Sequence, residues 1–280
     1  MSLWATLEQS ARSLGFAGCG AAAAGALDAP TQSRLKEYIA QGRHADMDYM
    51  ARNLDKRLDV TLLVEGARSV MAFLAPYDRH DTPGVASFAH GLDYHKVIKD
   101  RIHAFVQANN SELEIAAGGS LVYRVFTDSA PVMERAWAVR CGLGFIGCNT
   151  FLISPTAGLR TLIGVLVSNV PFEALDCEQL QAQKASVPKD CGGCMECIAA
   201  CPAGALTEPY RLDARRCLSF LTIESRSAHP AGGQLFGCDR CMEACPWNRP
   251  AKGWDEFSVN QELLEKDPEN IFSIFARNRK

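Results

Sequence analysis

Eight cysteines between Cys191 and Cys245 constrain this 280-residue chain more than any other feature. Cys191, Cys194, Cys197 and Cys201 followed by Pro202 have the C-x₂-C-x₂-C-x₃-C-P spacing of the bacterial ferredoxin run for 4Fe–4S clusters. In that arrangement three thiolates hold one cluster and the fourth crosses to another, so one complete run demands a second. The second run is one ligand short: Cys238, Cys241 and Cys245 before Pro246 fit, but Leu235 stands where its first cysteine would be. Cys217, between the runs, can supply the missing thiolate. The expected ligand sets are Cys191, Cys194, Cys197 and Cys245 for one cluster, and Cys201, Cys217, Cys238 and Cys241 for the other. Zinc sites more often use paired C-x₂-C knuckles, and a disulfide framework suits small secreted chains.

Hydrophobic content of 48% and charged content of 22% belong to an ordinary globular protein with a substantial core. The N-terminus reads as an amphipathic helix on Leu3, Leu7 and Leu14, not as a leader. No apolar run reaches membrane-span length. Thiolate-held clusters without an export signal place the expected setting in a reducing cytoplasm. A net charge of −3 leaves any nucleic-acid contact to a local basic face.

Along the chain, residues 1–60 read as helical: a helix to about Leu14, a Gly/Ala-rich turn over Gly18–Gly25, and a helix from Thr31 to Ala40. The stretch from Gly42 to Asn53 reads as a helix edge packed through Met47, Tyr49 and Met50. Ala67–Tyr77, Leu121–Phe126 and Leu159–Val170 read as strands. Tyr94, Val97, Ile98, Ile102 and Phe105 fall at helical spacing, and a further helix is expected over Pro131–Cys141. Strands alternating with helices indicate an α/β domain. Pro171–Asp190 is polar and proline-broken, a linker or domain edge. These boundaries divide the chain into 1–175, a cluster-bearing 176–250 and a short tail over 251–280, with helical signal in QELLEK and FSIFARNRK. Nothing before residue 170 matches a dinucleotide fingerprint or a P-loop.

The other dense stretch runs from Arg124 to Ile153. Asp128 and Ser129 follow a strand and precede a helix, so either can cap that helix. Alternatively Asp128 is a general acid in a crevice at the strand's carboxyl end. The two roles need opposite surroundings: a helix N-terminus favours the ionised carboxylate, whereas proton donation near neutrality needs burial against an apolar surface. Gly142, Gly144 and Gly147 suit close backbone approach to a ligand or a tight chain reversal.

TDSAPVMERAWAVRCGLGFIGCNT, RHADMDYMARNLDKRLDVTLLVEGARSV, LDYHKVIKDRI and the span Cys191–Asn248 together resemble epoxyqueuosine reductase, across most of residues 1–250. That resemblance implies an α/β cobalamin-binding domain, like those of reductive dehalogenases and nitroreductases, followed by an α+β double 4Fe–4S ferredoxin-like domain. It further implies electrons passing through the clusters to cobalt, drawn from a donor such as flavodoxin or ferredoxin. The substrate would be epoxyqueuosine at the wobble position of tRNA. Asp128 matches the family's proton donor, and Tyr94 and His95 fall in its cobalamin-facing region; Ser129, which reads first as shaping the turn, and Gly142, Gly144 and Gly147 are further candidate cofactor contacts. No membrane partner is implied.

Two departures stand out. Cys148 replaces a lysine usual in the family and reads as a small packing residue. Many members also continue into a helical-repeat region that grips tRNA, which this sequence lacks. RNA contact then rests on Arg211, Arg215, Arg216, Arg226, Arg240, Arg249, Lys252, Arg277, Arg279 and Lys280. Cys19, Cys141 and Cys177 are expected to be unligated. The competing readings are a corrinoid reductase of a small, dehalogenase-type substrate and an electron carrier with no substrate of its own.

Overall fold

The computed structural model describes residues 2–225, 232–249 and 252–258. Helix α1 (Leu3–Ser13), capped by the Ser2 hydroxyl accepting from Ala5 N–H, leads into strand β1 (Gly18–Ala23) and helix α2 (Ala29–Ala40). A short α3 (Leu54–Leu58) precedes β2 (Ser69–Pro76). Then come α4 (Tyr94–Ala108), α5 (Asn110–Ala117), β3 (Tyr123–Phe126) and α6 (Glu134–Arg140). A small hairpin of β4 (Phe145–Ile146) and β5 (Leu152–Ile153) is followed by β6 (Thr161–Ser168).

The strands and helices do alternate, and the main sheet they build is antiparallel throughout, in the order β1-β2-β6-β3. Every residue of β2 is buried because helices cover both faces of the sheet. Alternate side chains point opposite ways along a strand. Met71, Phe73 and Ala75 therefore pack with Trp4, Ile102 and Phe105 of α1 and α4, while Val70, Ala72 and Leu74 pack with Trp137 and Ala138 of α6. Phe73 sits 5.0 Å from both Phe16 and Phe105, ring centre to ring centre.

Four stretches fold differently from their sequence signals. The expected Gly/Ala turn at Gly18–Gly25 is largely strand β1, paired with β2 from Gly18 opposite Leu74 to Ala23 opposite Ser69. Its residues are small because α6 ends against it: a Cβ on Gly20 would stand 2.1 Å from the Cys141 carbonyl oxygen. The Gly42–Asn53 stretch is turns and a 3₁₀ segment at Asp48–Met50 rather than a packed helix edge. Helix α6 begins at Glu134, three residues after Pro131.

Residues 171–190 are not a free linker. They form α7 (Phe172–Leu175) and α8 (Glu178–Ala185), whose Leu175 and Leu180 are buried with α1, and Gln183 donates to the carbonyls of Cys19 and Gly142. The cysteine-rich part follows as α9 (Glu196–Ala199), a β7 (Leu206–Glu208) and β8 (Arg211–Leu212) pair, α10 (Leu218–Ile223) and α11 (Arg240–Glu243). Trp254, placed in the expected tail, returns to the first core: its indole N–H donates to Gly15 O at 2.7 Å and the Arg101 guanidinium lies 3.8 Å above its ring. The QELLEK and FSIFARNRK segments lie outside the described residues. Among the described residues no helix is long and apolar enough to cross a membrane.

Candidate functional site

The turn between β3 and α6 sets the chemistry. Asp128 follows Phe126 and Thr127 at the end of β3 and takes a left-handed conformation, φ +52°. That costs a residue bearing a Cβ about 1–2 kcal/mol, so neighbours must hold it there. The Glu134 carboxylate accepts the Asp128 backbone N–H at 3.0 Å, and the Tyr94 hydroxyl donates to Asp128 Oδ2 at 2.5 Å. Lys99 donates to the Ser129 hydroxyl at 2.9 Å. Helix α6 has no side-chain cap, so neither Asp128 nor Ser129 performs the capping role open to them in the sequence.

Tyr94 and His95 open α4, whose N-terminus is capped by the Asp93 carboxylate accepting His95 N–H. Their rings stack at 4.0 Å, His95 Nδ1 lies 2.8 Å from Asp93, and Nε2 lies 3.9 Å from Asp128 Oδ2. One carboxylate oxygen thus meets a phenol and an imidazole from the same helical turn. Burial, and then the Asp128 charge, push Tyr94 ionisation well above the usual phenol range, so it remains a donor. Burial, then Asp128, also pushes the half-buried Glu134 up to about 7.

This constellation lies on a cavity of about 2460 Å³. Tyr94, His95, Asp128 and Ser129 line it, together with apolar side chains such as Leu35, Val132, Leu152, Leu162 and Phe220. Met47, Tyr49 and Met50 line it too, which is where the Gly42–Asn53 stretch finds its place. Gly142, Gly144 and Gly147 are not among the lining residues. The protein itself accounts for them: a Cβ would meet Lys184 Cγ at 2.5 Å, Ile153 O at 2.2 Å and Ile153 Cδ1 at 2.5 Å, respectively. Tight packing within the protein is reason enough for those positions to be small.

The eight thiols fall into two neighbourhoods. Cys245 lies near Cys194 and Cys191, and Cys197 near Cys148, Cys245 and Cys191. Cys238 lies near Cys217 and Cys201, and Cys241 near Cys238, Cys217 and Cys201, with Cys197 beyond them. Cys201 thus sits near Cys217, Cys238 and Cys241, and Cys245 near Cys191, Cys194 and Cys197. Among the described residues no three His, Cys, Asp or Glu side chains converge as ligands of a single ion. Cys201, Cys217, Cys238 and Cys241 line the large cavity, whereas Cys191, Cys194, Cys197 and Cys245 do not. Cys19 and Cys141 are buried in the two cores, and burial pushes both thiols up, Cys141 to about 12. Cys148 is buried as expected, but packs among the cluster cysteines with its Sγ 3.3 Å from that of Cys191.

Two family models match. "Epoxyqueuosine reductase QueG, DUF1730" covers residues 57–129, and the "4Fe-4S double cluster binding domain" covers residues 190–248. The epoxyqueuosine reductase of Cyclobacterium marinum is 36% identical over 259 residues, which span 88% of this chain and 79% of that one. The chain belongs to the epoxyqueuosine reductase family. A crystal structure of an epoxyqueuosine reductase with an epoxyqueuosine-modified tRNA-Tyr stem loop superimposes with a TM-score of 0.79 at 25% identity, covering 97% of this chain and 75% of that one. A Bacillus subtilis epoxyqueuosine reductase, described with its catalytic aspartate loop swung out of the active site, gives 0.75 at 25% identity over the same shares.

Within this epoxyqueuosine reductase fold, several site residues had escaped the sequence reading. Glu134 sits inside the DSAPVMER motif, but only the fold turns it back onto Asp128. Arg57, Arg34, Arg52, Arg135 and Arg140 line the cavity from segments far apart in sequence. Of the cations expected to meet RNA, Arg211 and Arg240 line the cavity, although Arg211 is tied to Glu37 and Glu208. Arg215 is held by Asp213, and Arg249 packs over Trp247. Arg216 and Lys252 are exposed, while Arg226, Arg277, Arg279 and Lys280 lie outside the described residues.

Glu134 carries a stability signature. Its folded-state value of about 7 exceeds the ordinary 4.5. Between those values the folded chain keeps a proton that the unfolded chain has released, so stability falls as pH rises and levels off above about 7. Glu134→Gln keeps the acceptor for Asp128 N–H and removes the ionisation. Its stability advantage over wild type is expected to grow from about pH 5 to about pH 7, reaching on the order of 2 kcal/mol. Urea unfolding of the holoprotein at several pH values checks this; parallel profiles for variant and wild type would contradict it.

Proposed function

We propose that this chain reduces epoxyqueuosine to queuosine at the wobble position of tRNA. One observation carries the reading: Asp128 and the thiols of one cluster group open onto the same cavity. Membership of the family and the likeness to a relative bound to a modified stem loop support the substrate.

The cavity suits a large cofactor beside a nucleoside. Its volume exceeds the roughly 300–1,000 Å³ of ordinary ligand pockets, and much of its lining is apolar. Arg57 Nε and Thr161 Oγ1, both on the lining residues, are buried without a protein partner. Cobalamin fits there on these grounds, with Tyr94, His95 and Ser129 on one side and the apolar side chains as its bed. Bound cobalamin would supply low-potential reducing chemistry at cobalt. The two thiol groups would hold 4Fe–4S clusters, which carry electrons singly. Because the second group lines the cavity, its cluster is the inner one, and Cys191, Cys194, Cys197 and Cys245 hold the outer one that meets an external donor such as flavodoxin or ferredoxin.

The chain's own residues manage the proton. The reaction consumes two electrons and two protons, and converts an epoxide into an alkene and water. Asp128 holds a proton for the epoxide oxygen, and Tyr94 and His95 fix the carboxyl's orientation. With its side chain 69% exposed, Asp128 gets its apolar cover from what fills the cavity, as a proton donor requires. Arg34, Arg52, Arg135 and Arg140 are exposed residues on the cavity wall that match phosphates of the anticodon arm, although one nitrogen of Arg135 bonds to Thr150 O and one of Arg140 to Ala26 O.

Anaerobic reconstitution with iron, sulfide and cobalamin, followed by assay on epoxyqueuosine-containing tRNA, tests the proposal. Nucleoside mass analysis should show queuosine appearing with a strong reductant. Full cofactor loading without queuosine would overturn the substrate assignment.

A further inference from the structure

We propose that Cys148 is a reserve ligand for the iron held by Cys191. This rests on the two-cluster reading above. Two thiolates on one tetrahedral metal, with bonds of about 2.3 Å, stand roughly 3.8 Å apart. The Cys148 and Cys191 sulfurs are 3.3 Å apart, close to the spacing of two ligands on a single metal ion. Cys148 is thus a ninth thiol at a site whose ligand count is already closed by eight.

The two sulfurs differ in how they are held. Cys191 begins a loop whose next two residues, Gly192 and Gly193, both take positive φ and have no atoms within 4 Å of an added Cβ. Cys148 is 3% exposed in the turn of the β4–β5 hairpin. Tyr210, itself in a left-handed conformation at φ +65°, donates its N–H to the Cys148 carbonyl at 3.1 Å. The reserve sulfur is therefore the fixed one and the primary sulfur stands on the open loop. In the exchange, the Cys191–iron bond breaks and the released thiolate takes up a proton. Cys148 gives up its proton and forms the new iron–sulfur bond. No electron is transferred, and the cluster keeps its charge.

Iron content after anaerobic reconstitution decides the matter, with electron paramagnetic resonance of the reduced clusters beside it. Wild type at about eight irons per chain tests the two-cluster reading separately. Given that value, Cys191→Ala should keep the wild-type iron content with a shifted resonance signal. Cys191→Ala/Cys148→Ala should fall to about four, as should Cys197→Ala. An iron content in Cys191→Ala below wild type, or a double variant with all its iron, overturns the proposal. If Cys191→Ala does not fold, chelator-driven iron loss from the single variant Cys148→Ala answers instead: it should run several-fold faster than wild type, and equal rates overturn the proposal.

Discussion

Asp128→Asn is expected to lower turnover by about 10²- to 10⁴-fold, the usual contribution of a positioned general acid. Iron content and corrinoid uptake should stay at wild-type levels. The amide keeps the size of the side chain and can still accept from Tyr94, whose 2.5 Å contact is the shortest tie on the residue. What it cannot do is release a proton to an oxygen. Single-turnover assay on modified tRNA separates the alternatives. A variant that binds tRNA and cobalamin normally yet makes no queuosine fits a proton donor, whereas wild-type turnover would reduce Asp128 to a turn residue with an unusual backbone angle.

Cys217→Ala has the other large expected effect: iron should fall from about eight to about four per chain, and turnover should be lost. Cys217 belongs to neither cysteine run, and Leu235 occupies the place a regular second run would use. The fold brings Cys217 to Cys201, Cys238 and Cys241 on the cavity wall. On the proposed ligand sets, losing it would remove the cluster whose thiols line the cavity. Full iron in the variant would mean that another group completes that set.

Much of this site was legible where the pattern is local or covalent. Cysteine spacing pointed to the double-cluster domain that matches residues 190–248, because a short run fixes which sulfurs can converge. Strand β2 and helix α4 were legible because seven apolar residues in sequence after Ser69, or a 3.6-residue stripe, have few other uses. Strand β1 was hidden, since Gly and Ala are poor strand formers and were selected here by the approach of α6. Glu134, Arg57 and the pairing of Cys148 with Cys191 were hidden for a different reason. Glu134 reaches Asp128, six residues back, through a left-handed turn, Arg57 joins the cavity wall from another segment, and Cys148 meets Cys191 across 43 residues; no periodicity in the chain encodes such meetings. The glycines of the GLGFIG turn were legible as positions without room for a side chain, but not for what fills that room, because close packing and ligand approach leave the same residue behind.

Loop residues Gly84 to Ser87 brace the iron-bearing lobe through Ala86 N–H to Phe236 O at 2.8 Å and Ser87 N–H to Asp239 at 2.7 Å. Helix α8 feeds the chain into that lobe from the main sheet, and Trp254 carries it back to the same sheet. Among the described residues the lobe is therefore sewn to the main sheet at entrance, flank and exit. Loss of the minerals inside is expected to slacken the main sheet as well, instead of one detachable part.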